Sequence, residues 1–150
     1  MRNKSEGMQI RSVMEGLRQS RFAWYWVPTI CYCLLIFGLS SLSKGVYIPS
    51  PFGVDKVVHF VEYGVLGFLL ARLIINVQST FSRRFLIGLV VILATLYGIS
   101  DEIHQAFVPG RNASAWDVVA DGLGGVMGAL IYTRFVRGRE IEEGEGGSKE

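Results

Sequence analysis

The apolar residues of this chain fall in four long blocks rather than in the alternation of a water-soluble helix or strand. A helix needs about 20 predominantly apolar residues to cross a bilayer, and each block meets or approaches that length. The pattern therefore predicts an all-α integral membrane bundle of four transmembrane helices, Trp24–Leu42, Val57–Val77, Phe85–Ile103 and Asp117–Val136.

Composition supports this prediction, because 50% of the 150 residues are hydrophobic and only 19% are charged. The first block is too long for a cleaved signal peptide, and a polar extension precedes it. We expect a basic leader over residues 1–23, a membrane domain over 24–136 and a disordered acidic tail over 137–150. Ile10, Val13, Met14 and Leu17 have helical spacing in the leader, which leaves open an amphipathic interfacial helix or a disordered basic segment.

Basic residues are distributed unevenly along the chain. Most precede the first span, lie between spans two and three, or follow span four, whereas only Lys44, Lys56 and Arg111 occupy the other side. The positive-inside rule therefore predicts that both termini are cytoplasmic. Because topology accounts for these dispersed charges, nucleic acid is not expected as a partner.

Ionisable residues interrupt the apolar pattern at the outer ends of three predicted spans. Each such group costs roughly 2.5–3.5 kcal/mol at a helix centre on the insertion scale, so a group of them indicates mutual burial or function. Helical spacing places each set on one side of its helix. The sets are Asp55, His59 and Glu62; Asp101 and Gln105; and Asp117 and Asp121. We predict that they form one polar site.

Each candidate side chain has a functional and a structural interpretation. His59 and Glu62 are acid–base candidates or interface residues, and Lys56 is an interfacial or ion-paired lysine. We expect Asp101 to point inward with Gln105, Glu102 to point toward the next helix or Arg111, and His104 to face water.

Arg111 suits an anionic group or pins its loop over a neighbouring carboxylate, and Asp117 suits the first turn of its helix. No spacing typical of a metal motif is present, so metal binding is only a minor hypothesis and the cofactor stays unknown. Cys31 and Cys33 are expected to be lipid- or core-facing thiols.

Span four carries glycines at positions 122, 124, 125 and 128. Gly124 and Gly128 make a GxxxG face, which allows close approach of another helix. We expect this face to pack against span two or three, and homodimerisation through it is an open alternative.

Two segments of the chain resemble the signature segments of the VanZ-like family of small bacterial membrane proteins. The segments are DKVVHFVEYGVLGFLL from Asp55 and DEIHQAFVPGRNASAWDVVADGLGGVMG from Asp101. The residues that carry the resemblance are Asp55, Lys56, His59, Phe60, Tyr63, Asp101, Glu102, Gln105, Pro109, Gly110, Arg111, Asp117, Ala120 and Gly124. Asp121 departs from the family pattern, which more often has Asn.

The resemblance implies a multi-pass protein of the bacterial cytoplasmic (inner) membrane and a link to teicoplanin resistance. We expect an outer-face pocket that binds or acts on an amphiphilic, lipid-linked or lipoglycopeptide molecule of the cell envelope. Its catalytic candidates are His59, Glu62, Asp101, Glu102, Gln105, Asp117 and Asp121, and its ligand-binding candidates are Asp55, Lys56, Tyr63 and Arg111. The alternatives are a non-catalytic scaffold and a small oligomeric transporter.

Overall fold

The computed structural model describes residues 4–43, 53–78 and 80–146, and these residues form helices and short connections without a strand. The helices are α1 (Lys4–Ser40), α2 (Val54–Val77), α3 (Arg83–Gln105) and α4 (Ala115–Gly146). The all-helical prediction is confirmed. Residues 44–52, which include the prolines of the expected outer loop, lie outside the described residues.

Three helical segments of the described chain are long and apolar enough to cross a membrane, namely Phe22–Ser40, Val54–Val77 and Arg83–Gln105. They correspond to the first three predicted spans. The fourth predicted span is helical, but glycines and carboxylates interrupt its apolar sequence. A membrane crossing by α4 and the cytoplasmic position of both termini stay predictions.

α1 continues without a break from the leader into the first span, so Pro28 lies inside a helix rather than near its start. Proline has no N–H and leaves the carbonyl four residues earlier without its helical donor. That carbonyl belongs to Trp24, and it accepts a hydrogen bond from Arg72 Nη1 at 3.3 Å. The Arg72 guanidinium also lies 4.9 Å from the Tyr25 ring centroid. An α2 side chain therefore replaces the donor that the proline removes.

The described residues nearest the two termini are also helical. α1 begins at Lys4, so most of the leader is helical, and α4 continues to Gly146 through most of the expected acidic tail. The position of the leader at the membrane interface stays a prediction, as do the segment boundaries after residue 23 and before residue 137.

α2 and α4 touch each other backbone to backbone. A Cβ atom on Gly128 would overlap the carbonyl oxygen of Gly64, and one on Gly124 would overlap the carbonyl oxygen of Phe60. The prediction that the glycine face packs against span two or three is therefore confirmed for span two. This face is covered by α2 within the chain, and the homodimer stays an untested prediction.

Apolar side chains hold the other helices around this pair. One buried cluster joins Ala71 of α2, Val90 of α3 and Ala129 of α4. A second cluster includes Ile36 of α1 and Leu66 of α2. The end of α1, the start of α2, the end of α3 and the start of α4 meet at one end of the bundle, where the polar residues lie.

Candidate functional site

Part of the predicted polar set surrounds a small cavity at this end of the bundle, and Lys56, Glu102, Asp117 and Asp121 lie beside it without lining it. The cavity has a volume of about 70 Å³, which suits a few water molecules or one small polar group. Polar side chains from α1, α2, α3 and the loop before α4 line it, namely Ser40, Asp55, His59, Glu62, Asp101, Gln105 and Arg111. The expected shared face of Asp55, His59 and Glu62 is confirmed.

His59 lies between carboxylates from two other helices. Its Nδ1 atom is 3.0 Å from Oδ1 of Asp121 on α4, and its Nε2 atom is 3.8 Å from Oε1 of Glu102 on α3. His59 is 4% exposed and Asp121 is fully buried. A neutral imidazole has one N–H donor and one acceptor nitrogen. With an ionised Asp121 as acceptor, the donor is Nδ1, and Nε2 faces Glu102.

Asp101 and Glu102 are adjacent and both buried, yet they have different partners. Gln105 Nε2 donates to Oδ2 of Asp101 at 2.9 Å, one helical turn away. Glu102 Oε2 accepts a 2.6 Å hydrogen bond from the backbone N–H of Ser114, immediately before α4. The expected pairing of Asp101 with Gln105 is confirmed, and Glu102 points toward the start of α4.

Lys56 and Asp117 form an ion pair between α2 and α4, with 2.9 Å between Nζ and Oδ1. Asp117 lies in the first turn of α4, where the helix dipole favours an anion. Asp55 occupies the corresponding first turn of α2, and the N-cap residue is Gly53. Asp55 is therefore a first-turn residue, where the helix dipole favours its negative charge.

Arg111 connects its loop to the end of α1. Its Nη2 and Nε atoms donate to the carbonyl oxygens of Leu39 and Leu42, at 2.8 and 3.3 Å. Leu39 lies in the last turn of α1 and its carbonyl oxygen also accepts from the backbone N–H of Leu42 at 3.2 Å, whereas Leu42 lies two residues after the helix. These hydrogen bonds of Arg111 pin the loop to backbone carbonyls, not to a carboxylate as expected, while the residue still lines the cavity.

Two other predicted residues lie differently from the expectation. His104 does not simply face water, since its Nε2 atom is 2.9 Å from Ser41 Oγ and its ring packs on Phe37 with 4.4 Å between centroids. Tyr63 is fully buried beneath the site, between the rings of His59 and Tyr97. It does not line the cavity.

Several buried oxygen atoms at the site have no hydrogen-bond partner among the described residues. They include one carboxylate oxygen from each of Asp101, Glu102 and Asp121, and the hydroxyls of Ser40 and Tyr63. A buried polar atom without a partner is costly. The site therefore has unused acceptor capacity.

One subset of the site offers metal ligands. A ligand atom from each of Asp55, His59 and Asp117 lies within 4.8 Å of the other two. Carboxylate oxygens and an imidazole nitrogen suit a divalent ion of intermediate hardness.

Sequence reasoning missed some residues that build the site. A Cβ atom on Gly98 would overlap Oδ2 of Asp121, so this α3 glycine makes room for the buried carboxylate. Gly98 lies three residues before Asp101, a helical neighbour spacing that identifies it as the small residue under the polar face. No comparable spacing in the sequence identifies Ser40 or Ser114 as a residue of the site.

An apolar groove of about 540 Å³ borders the same three helices α1, α2 and α3. Its lining residues are Trp26, Thr29, Ile30, Cys33, Leu34, Phe37, Leu70, Leu73 and Tyr97. Cys31 is exposed and Cys33 half-buried, both as free thiols, which confirms their expected positions. Along α1 the groove covers residues 26–37 and the polar cavity covers residues 36–40.

Comparison with known proteins gives one match. A family model described as VanZ/LLP1 matches residues 6–137, which include every residue of the site. The searches of curated proteins and of solved structures gave no match.

Proposed function

The chain belongs to the VanZ-like family, and from this premise we propose that its polar cavity binds the headgroup of an amphiphilic or lipid-linked cell-envelope molecule. The observation that carries the proposal is that an apolar groove and a polar cavity follow each other along α1. The apolar groove of about 540 Å³ is lined along α1 as far as Phe37, and the polar cavity of about 70 Å³ is lined from Ile36 to Ser40 of the same helix. An amphiphile needs these two environments next to each other.

The cavity favours a headgroup that carries hydrogen-bond donors. Four carboxyl or amide side chains line it, and Asp101 Oδ1 has no partner there. Ionised carboxylates only accept hydrogen bonds, so hydroxyl or amine groups of the ligand are the matching chemistry. Two donor positions of Arg111 are engaged by Leu39 and Leu42, which makes an anion-binding role secondary to its role in holding the loop.

If the headgroup is also transformed, His59 is the acid–base candidate. It lies at the cavity wall against two carboxylates, an arrangement that can accept and return a proton. Hydrolysis or group transfer on the bound molecule is the reaction class to assay.

A packing role is the second candidate, and the burial of Asp121 favours it. Asp121 is 0% exposed and lies against Gly98, so a ligand does not reach it without movement of the helices. In this alternative the polar contacts select one arrangement of the helices, as buried polar groups do in some proteins.

Native mass spectrometry of the purified protein in mild detergent tests the proposal. We compare the wild type with Leu34→Trp, which fills the groove, and Asp101→Asn, which changes the cavity. Leu35→Trp is the matched control, because Leu35 is a similarly exposed leucine of α1 that does not line the groove.

We expect a specific co-purifying amphiphile with the wild type and Leu35→Trp, and its loss with the other two variants. Equal retention by all four proteins would contradict binding in the groove and cavity. A wild type without any bound amphiphile, together with an Asp101→Asn variant that is only less stable, would favour the packing role.

The link to glycopeptide resistance is part of the same proposal. Expression in a teicoplanin-susceptible bacterium is expected to raise the inhibitory concentration of teicoplanin, and Asp101→Asn at equal membrane abundance is expected to remove the effect. An unchanged inhibitory concentration with the wild type would separate this chain from that role.

A further inference from the structure

We infer that the site binds a divalent transition-metal ion through Nε2 of His59 and the carboxylates of Glu102, Asp55 and Asp117. The ion itself is separate from the amphiphile proposed above, although it lies in the same site. His59 on α2 lies against carboxylates of α3 and α4 and so joins the three acidic helices.

The orientation of His59 leaves one nitrogen available as a ligand. Nδ1 lies 3.0 Å from Asp121 Oδ1, and a carboxylate on one ring nitrogen fixes the tautomer that presents the other as a metal ligand. Histidines that bind metals in proteins almost always have such a second contact. Asp121 is thus the orienting residue.

The atom that faces Nε2 of His59 is Oε1 of Glu102. Glu102 is 5% exposed, and its Oε1 atom has no hydrogen-bond partner among the described residues. It lies 3.8 Å from Nε2 of His59, too far for a hydrogen bond. Metal–nitrogen and metal–oxygen bonds of about 2.0–2.2 Å each allow two ligand atoms at this separation to share one ion.

Asp55 and Asp117 complete the ligand set from the first turns of α2 and α4. Their carboxylate oxygens and a ring nitrogen of His59 lie within 4.8 Å of one another. Two atoms bonded to one ion at about 2.0–2.2 Å lie at most about 4.4 Å apart, so these three atoms need only small shifts, whereas Glu102 lies outside this group and must move toward it to bind the same ion. One imidazole with several carboxylates suits Zn²⁺ or Mn²⁺ better than a soft ion.

Charge supports the same conclusion. Buried carboxylates need a proton, a donor or a cation, and the site contains six carboxyl groups from Asp55, Glu62, Asp101, Glu102, Asp117 and Asp121. The cationic contact to Asp117 comes from Lys56, whose side chain is 35% exposed. A half-exposed lysine can turn to solvent when an ion takes its place.

The competing arrangement is an imidazolium at His59 bridging Asp121 and Glu102 without metal. Metal content distinguishes the two arrangements directly. The purified full-length protein is incubated with Zn²⁺ or Mn²⁺, freed of excess ion by size-exclusion chromatography and analysed by inductively coupled plasma mass spectrometry. We expect about one bound ion per chain for the wild type.

The variants assign the ion to the site. His59→Ala and Glu102→Gln are expected to weaken binding about tenfold or more, and Asp121→Leu about 10- to 100-fold through loss of the contact that orients the His59 ring. Lys56→Gln removes the competing cation and is expected to tighten binding. The matched control is His104→Ala, since His104 is the other histidine of the chain, and it is expected to keep the ion.

Three results would overturn the inference. They are a wild type that binds no ion, equal metal content in the wild type and His59→Ala, and loss of the ion in His104→Ala alone. If His59→Ala does not fold, metal content is compared between the wild type and the isosteric variant Glu102→Gln instead. Because the readout is metal and not lipid, a failed metal site leaves the amphiphile proposal standing, and absence of the amphiphile does not affect the metal result.

Discussion

The Nδ1 atom of His59 lies 3.0 Å from Oδ1 of Asp121, and this contact links α2 to the most deeply buried carboxylate of α4. It forms where the glycines of the two helices bring their backbones together. The polar contact and the close backbone approach therefore depend on each other, and the first two predictions address them.

Gly128→Ala is expected to destabilise the bundle, because the added Cβ would overlap the Gly64 carbonyl of α2. Overpacking of this kind costs about 1–3 kcal/mol or more. Gly88→Ala is the matched control, since a Cβ at Gly88 meets nothing within 4 Å and alanine favours a helix. Thermal unfolding in detergent should show a lower Tm for the first variant only. Equal Tm values would contradict the close packing of α2 and α4.

Asp121→Asn is expected to preserve the fold, because an amide oxygen can still accept the hydrogen bond from His59 Nδ1. Asp121→Leu leaves His59 buried without this partner and is expected to cost about 1–3 kcal/mol. Denaturant or thermal unfolding of both variants checks the order. If Asp121→Asn were as unstable as Asp121→Leu, the charge rather than the hydrogen bond would determine stability.

Arg72→Ala is expected to destabilise the chain less in a Pro28→Ala background than in the wild type. The reason is that alanine at position 28 restores a helical donor for the Trp24 carbonyl, which Arg72 Nη1 serves at 3.3 Å. A double-mutant cycle of thermal stability measures the coupling, and a coupling of about 0.5 kcal/mol or more is expected. Strictly additive effects would mean that the guanidinium acts only through the aromatic rings of Trp24 and Tyr25.

The predicted topology makes the loop before α4 accessible from outside the cell. In a variant without Cys31 and Cys33, Asn112→Cys is expected to react with a membrane-impermeant maleimide in intact cells. Ser82→Cys, at the equally exposed turn between α2 and α3, should react only after lysis. The reverse labelling pattern would invert the orientation and place the polar site at the cytoplasmic face.

The first three spans could be predicted from sequence because apolar block length is a strong signal for a membrane helix. The alternating direction of the spans predicted that the polar residues of α2, α3 and α4 lie at the same end of the bundle. The spacing of Asp101 and Gln105 predicted that these two residues pair. The continuation of α1 through Pro28 could not be predicted in this way, because it depends on Arg72, a residue 44 positions later.

Side-chain partners across helices were the least predictable part of the site. Lys56 contacts Asp117 rather than its neighbour Asp55, and Arg111 donates to α1 carbonyls. Both contacts depend on the rotation of one helix about its axis relative to another. Helical spacing within a single segment carries no information about that rotation, whereas it does fix which residues share a face.

The backbone contact between α2 and α4 also determines where the bundle can open. Where the glycines meet, the backbones of α2 and α4 lie in direct contact with no side chain between them. α1 instead meets its neighbours through side chains, which include buried Ile36 and the hydrogen bonds of Tyr32 and Tyr97, at 3.1 and 2.6 Å. A molecule that enters the cavity sideways would therefore pass the α1 side of the bundle, because the glycine contact closes the gap between α2 and α4.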